Sequence, residues 1–178
     1  RGNFSTGLTW VDKDHRSYDI VKNEGTVNLE NLELPVRKDR EYCYLGHNQA
    51  PTSSERKWHE NTSHPFLYGD WIVAHNGVLT NFKQLVKDHV PSHRNKVDSS
   101  IIPTLLAEND YMTGPPEGKA DEVANIASVL ELLKGTFALW IVNTNTFNIY
   151  FARQGSTLFH KGTNVSSIKG DGYKEVSE

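Results

Sequence analysis

Asp70 to Asn81 reads DWIVAHNGVLTN, and the parsing of this stretch decides the fold. Trp71 to Ala74 is an apolar run of strand length that reaches a polar bend, His75-Asn76-Gly77. The chain then turns toward a helix-like segment, NFKQLVKDHV, from Asn81 to Val90. A bend of that kind sets a glycine amide and an asparagine carboxamide side by side at a strand end, where buried chain meets a cleft. Two aligned N–H donors there can hold a developing oxyanion. The other reading is an ordinary Asn-Gly turn, the commonest reason for that dipeptide.

Downstream, Phe82, Leu85, Val86 and His89 recur at spacings of three and four, predicting an amphipathic helix stopped by Pro91. Asp98-Ser99-Ser100 then opens a second helix whose apolar face is Ile101, Ile102, Leu105 and Leu106, with Asp98 or Ser99 as its N-cap. Pro103 fits only near the first turn, where amides lack intrahelical partners. Gly114-Pro115-Pro116 marks a loop, and Ala120 to Lys134 reads as the clearest helix, ended by Gly135. Phe137 to Val142 and Phe147 to Ala152 read as buried strands joined by the polar NTNT, with a third strand over Thr157 to Lys161.

Upstream, Leu8 to Val11 and Tyr18 to Lys22 form a hairpin around the charged tip Asp12 to Arg16. Thr26 to Leu34 alternates in a way that suits a short helix or an edge strand, and Pro35 ends it. Arg37 to Glu41 is a solvated charged loop. Tyr42 to His47 reads as a buried strand, with Cys43 expected to be buried as a small hydrophobe. It runs into the polar LGHNQAPT (Leu45 to Thr52), after which Ser53 to Ser63, carrying Trp58, is a polar loop ahead of His64-Pro65-Phe66.

With 178 residues, 37% of them apolar, the chain fits one domain with a real core. A net charge of −3 gives no basic footprint for nucleic acid. No apolar run approaches the roughly 20 residues of a membrane helix. A single cysteine forbids an internal disulfide framework and suits a reducing, cytoplasmic compartment. His47, His59, His64 and His75 form no HxH, HExxH or cysteine-histidine pattern, so no metal site is expected. Alternating runs of strands and helices without a glycine-rich phosphate loop exclude a dinucleotide or P-loop fold.

RGNFSTG at the start, LGHNQAPT, HPF, the HNG bend and Asp98-Ser99-Ser100, in that order and spacing, resemble the class II glutamine amidotransferases. These N-terminal-nucleophile hydrolases strip ammonia from glutamine. The resemblance implies an α+β fold, a four-layer α/β/β/α sandwich of two antiparallel sheets with helices outside, and no cofactor. It implies that Asn76 through its side chain and Gly77 through its backbone N–H form the oxyanion hole, that Asp98 holds the α-ammonium of glutamine, and that Thr52 and Gln49 lie near the carboxylate. In the family an arginine stands at the place of Gln49, where a guanidinium pairs bidentately with that carboxylate; a neutral amide offers only ordinary hydrogen bonds. On the residues alone, Gln49 is equally a surface loop residue. Ser53 to Ser63 matches the family's mobile flap, and NVSSIK (Asn164 to Lys169) the start of its closing segment.

RGNFSTG resembles the segment that follows the family's nucleophile strand. The chain is therefore read as a single amidotransferase domain, residues 1–178, incomplete at both ends, and inactive as written. Cys43 cannot substitute, since the family's nucleophile uses its own free α-amino group as general base. Two functional readings follow. One is a longer enzyme whose leading cysteine precedes Arg1, with a separate protein partner or acceptor-binding synthase receiving the ammonia. The other is a non-catalytic subunit with a structural or binding role in an assembly, such as a virus particle.

Overall fold

The computed structural model describes residues 4–27, 34–35, 41–50, 57–113 and 122–158. Among these residues, seven strands form two antiparallel sheets. β1 (Ser5–Asp12), β2 (Ser17–Glu24) and β3 (Cys43–Gln49) make the first, in the order β2-β1-β3. β4 (Phe66–Tyr68), β5 (Trp71–Leu79), β6 (Gly135–Asn143) and β7 (Ile149–Gln154) make the second, in chain order. Helices α1 (Phe82–Asp88), α2 (Ile101–Thr113) and α3 (Glu122–Leu132) connect β5 to β6.

Alternation along β5 builds both layers of core, because successive side chains leave a strand on opposite faces. Ile72 joins Val142 and Phe147 against Val11 and Leu45 of the first sheet, so the sheets pack face to face. Trp71 and Val73 point the other way, into a larger cluster with Leu85, Ile101, Ile102, Leu105, Ile126 and Val129 of the helices. Burial of each such side chain stabilises by about 1.5–3 kcal/mol, and Trp71 and Ile72 are fully buried. The described helices cover the second sheet only, so three of the four expected layers fall within the described residues.

Pro103 is the third residue of α2, inside the first turn where no amide partner is lost. Asn81 ties α1 to the α3 end: its Nδ2 donates to Leu132 O at 2.8 Å and its Oδ1 accepts from Lys134 N at 3.0 Å. The β1–β2 tip turns at Arg16 with a positive φ of 50°.

Four expectations are corrected. The HNG bend is not a turn: His75, Asn76 and Gly77 continue β5, paired with Leu139, Ala138 and Phe137 of β6, and the chain turns only at Thr80. Gly77 makes this extension possible, with φ of 151° and a Cβ position that would lie 2.0 Å from Thr136 O. Cys43 is exposed, not buried. It occupies the inner-face register opposite Val11, but on the first residue of β3, an edge strand among the described residues; partial burial pushes its thiol up. Phe147 lies in the β6–β7 turn with φ of 61°, and β7 starts at Ile149. Thr157 and Leu158 are not in a strand; the remainder of that expected strand, NVSSIK and most of Thr26 to Leu34 lie outside the described residues.

Candidate functional site

β5 supplies the frame. β4 pairs only with Trp71, Ile72 and Val73, so from Ala74 onward one edge of β5 carries no strand among the described residues. Amides in an antiparallel ladder point alternately to the two sides. Thr80 N donates to Lys134 O on the β6 side, whereas Leu79 N donates to Asp98 Oδ2 at 2.9 Å on the open side. His75 shares the parity of Leu79, and its carbonyl meets His47 Nε2 at 3.2 Å on that same open side. Gly77 lies between them with the same parity, so its N–H faces the bare edge.

Asp98 arrives from the 3-10 turn Asp98–Ser100 that leads into α2. Its Oδ1 accepts from Ser99 N at 2.9 Å and its Oδ2 from Leu79 N, so the carboxylate ties the helix mouth to the strand edge. Neither Asp98 nor Ser99 is the expected N-cap, since Val97 precedes the turn as its cap residue, without a side-chain cap bond, and α2 begins only at Ile101. Asn76 projects from the opposite face of β5 to His75, and its side chain is exposed. Asn76, Gly77, Asp98 and Gln49 line one open cavity of about 1120 Å³. The sequence-predicted groups therefore converge, with the exception of Thr52, which lies outside the described residues.

Gln49 is buried rather than a surface loop residue. It ends β3 opposite Ser5, whose hydroxyl donates to Gln49 Oε1 at 3.2 Å; His64 Nδ1 stands 3.4 Å from the same oxygen. This carbonyl is thus already committed to the protein, leaving the Gln49 amide nitrogen as the group it can offer a ligand.

Three of the four histidines also gather here, a feature their sequence spacing does not announce. The rings of His47 and His64 stack with centroids 4.1 Å apart. His64 reaches this place because β1 carries Gly7, where a Cβ would lie 2.0 Å from His64 O. His75, 3% exposed, contacts Ser99 Oγ through Nδ1 at 2.8 Å and Thr136 O through Nε2 at 3.1 Å. His59 stands apart, its Nδ1 accepting from Asn61 N at 3.0 Å.

Burial disfavours the charged forms of His47 and His75. His47 is pulled down to about 4 by desolvation, against a hydrogen bond to His75 O, and His75 itself adds a small further lowering. His75 is likewise lowered by burial, opposed by its bond to Thr136 O and by the charge of Asp98. Among the described residues no group of three His, Cys, Asp or Glu side chains is arranged to hold a metal ion. No described helix is long and apolar enough to cross a membrane.

No protein-family model matches the chain. It is similar to 7-cyano-7-deazaguanine synthase 2 of Sulfurisphaera tokodaii, 29% identical over 157 residues, covering 86% of this chain and 32% of that protein. It is also similar to 7-cyano-7-deazaguanine synthase of Saccharolobus solfataricus, at 28% over 163 residues, 89% of this chain and 33% of that protein. The isomerizing glutamine–fructose-6-phosphate aminotransferase of Sulfurisphaera tokodaii is 25% identical over 162 residues, 89% of this chain and 26% of that protein. The chain thus spans a third or less of the length of these relatives. Among solved structures, glutamine phosphoribosylpyrophosphate amidotransferase from B. subtilis superposes with a TM-score of 0.55 at 20% identity, over 80% of this chain and 30% of that one. An allosteric regulatory enzyme of purine biosynthesis does so with a TM-score of 0.59 at 22% identity, over the same shares. The solved structures share the fold, and the relatives include glutamine-named aminotransferases that cover nearly the whole chain. On both grounds, the chain resembles the class II glutamine amidotransferases in sequence and shares the fold of the solved amidotransferase structures.

Proposed function

We infer that this chain is the glutamine-binding and glutamine-hydrolysing domain of an amidotransferase. The observation that carries the reading is the meeting of the Gly77 amide and the Asp98 carboxylate along one bare strand edge beside one cavity. The amides of Gly77 and Leu79 are two residues apart, about 6.6 Å along a strand, and Asp98 stands one hydrogen bond beyond Leu79. In glutamine the side-chain carbonyl carbon and the α-nitrogen are four bonds of about 1.5 Å apart, roughly 5 Å in extended form. A single amino acid is therefore commensurate with both anchors.

In this reading a cysteine thiolate attacks the side-chain carboxamide carbon, and the C=O electron pair moves onto oxygen. The Gly77 N–H and the Asn76 carboxamide stabilise that oxyanion. The proton taken from the thiol by the cysteine's own α-amino group passes to the leaving nitrogen, so that collapse expels ammonia and leaves a thioester, which water hydrolyses to glutamate and free thiol. Asp98 holds the α-ammonium, and the carboxylate end falls to the Gln49 amide nitrogen, together with Thr52 as the resemblance implies. The thiolate belongs to a residue outside these 178. Cys43 lies six residues from Gln49 along β3, about 20 Å, and does not line the cavity. Ammonia would pass to an acceptor-activating synthase or transferase portion, in a cytoplasmic protein.

One observation favours the second reading, a non-catalytic subunit. Gln49 is neutral and its Oε1 is tied to Ser5, so the carboxylate end of the cavity keeps no cation at that position. Ammonia release from glutamine by the full-length protein separates the two. Turnover that falls by roughly 10²–10³-fold in Asn76→Ala, as for loss of one oxyanion donor, supports the enzyme; a full-length wild-type protein that releases none overturns it.

A further inference from the structure

His75 is buried, titratable and unused by the chemistry above, yet it touches both halves of the site. Its Nε2 faces a carbonyl, Thr136 O, at 3.1 Å, so Nε2 carries the proton and donates. Nδ1 is then a bare acceptor, and the Ser99 hydroxyl at 2.8 Å donates to it. Ser99 in turn gives its backbone N–H to Asp98 Oδ1, and its hydroxyl oxygen lies 3.3 Å from that same carboxylate oxygen. On the other side, the imidazole covers the place a Gly77 Cβ would occupy, 2.8 Å from Nε2 and 2.0 Å from Thr136 O. One ring thereby braces the strand at the oxyanion amide and the turn that bears the acidic anchor.

We propose that His75 is a positioning residue: through Thr136 it fixes the Gly77 amide, and through Ser99 it fixes Asp98, holding the two anchors at the separation a single ligand requires. The assignment of these anchors to glutamine rests on the function inferred above, but the bracing does not. The two arms are chemically separable. Asparagine at this position offers an acceptor near Nδ1 for Ser99 and cannot reach Thr136; glutamine offers a donor near Nε2 for Thr136 and leaves Ser99 without its acceptor. His75→Asn should therefore release the oxyanion side alone, and His75→Gln the ammonium side alone.

The test uses the full-length protein and two readouts. In glutamine hydrolysis, His75→Asn lowers kcat by roughly 10-fold, less than outright loss of a donor, with KM unchanged. His75→Gln raises KM by a similar factor with kcat unchanged, and Ser99→Ala, which deletes only a hydroxyl, reproduces His75→Gln should the histidine variants not fold. Variants that shift kcat and KM together, or not at all, overturn the proposal. Independently of turnover, ¹⁵N NMR of the wild-type imidazole shows the neutral Nε2–H form, and Ser99→Ala moves the Ser99 and Asp98 amide resonances while leaving Gly77 in place. An Nδ1–H tautomer, or a Gly77 shift equal to the others, contradicts the bracing even if the protein never hydrolyses glutamine, whereas absent turnover with the NMR result intact contradicts only the enzymatic reading.

Discussion

The two halves of β5 are one strand under two regimes. Trp71 to Val73 lies between β4 and β6, packs into both cores and is essentially without solvent exposure. Asn76 to Val78 keeps β6 but, among the described residues, has no strand on its other edge, and is exposed, Val78 at 60%. The first half spends its amides and side chains on the fold. The second half is held in register by the first and can present unshared donors to a ligand. Preorganised donors do not have to reorient during reaction, which is what makes them effective at an oxyanion. The difference teaches that the site lies where, among the described residues, β5 is paired on one edge only, held in register by β6.

That contrast predicts opposite consequences for substitutions a few residues apart. Trp71→Ala removes a fully buried indole from the helix-side core and should cost about 3–5 kcal/mol of stability, measured by denaturant unfolding. Asn76→Ala, on the exposed half, should shift stability by no more than about 0.5 kcal/mol while suppressing turnover as described above. A stability loss at Asn76 comparable to that at Trp71 would erase the distinction between the halves.

Acid should attack the join between the sheets. His47 donates Nε2–H to His75 O, while its Nδ1 is buried without a hydrogen-bond partner among the described residues, and its facing groups there are the His64 ring and the His75 backbone. A base whose folded pKa lies below its unfolded value favours folding fully above the unfolded pKa, and that advantage is lost as pH falls. With His47 at about 4 against 6.5, stability should decline between about pH 6.5 and pH 4 by about 3 kcal/mol. His75, lowered in the same direction, adds to the decline. His47→Gln should flatten this part of the stability–pH curve; an unchanged curve would remove His47 as the cause. At the small end, Cys43→Ser should change stability by less than about 0.5 kcal/mol and leave ammonia release unaltered. Loss of activity there would place Cys43 in the chemistry.

Much of the architecture was legible because it depends on local pattern. The apolar run Trp71 to Ala74 and the spacing of Ile101, Ile102, Leu105 and Leu106 each follow from side-chain period, whereas α3 ends at Leu132, short of the expected stop, and Gly135 opens β6. What escaped depends on partners distant in sequence. Asn76-Gly77 reads as a turn until Thr136 is seen to approach where a Cβ would stand. Cys43 reads as buried because edge position follows from sheet order, which no local pattern encodes. Gln49 reads as a loop until the β1–β3 register brings Ser5 opposite it. The site was legible as far as Asn76, Gly77 and Asp98 share one cavity; the roles of His75 and Ser99 were not, since a histidine beside an Asn-Gly pair gives no hint of which hydroxyl it meets.

The central claim is that the Gly77 amide and the Asp98 carboxylate serve the same small amino acid. Titrating glutamate, the product, into the isotopically labelled full-length protein while following the backbone amides of Gly77 and Leu79 tests it directly. The account predicts that both resonances move along one binding curve with a single Kd, and that Asp98→Asn weakens that Kd for both. Gly77 and Leu79 responding with different affinities, or Leu79 remaining still while Gly77 moves, would contradict it.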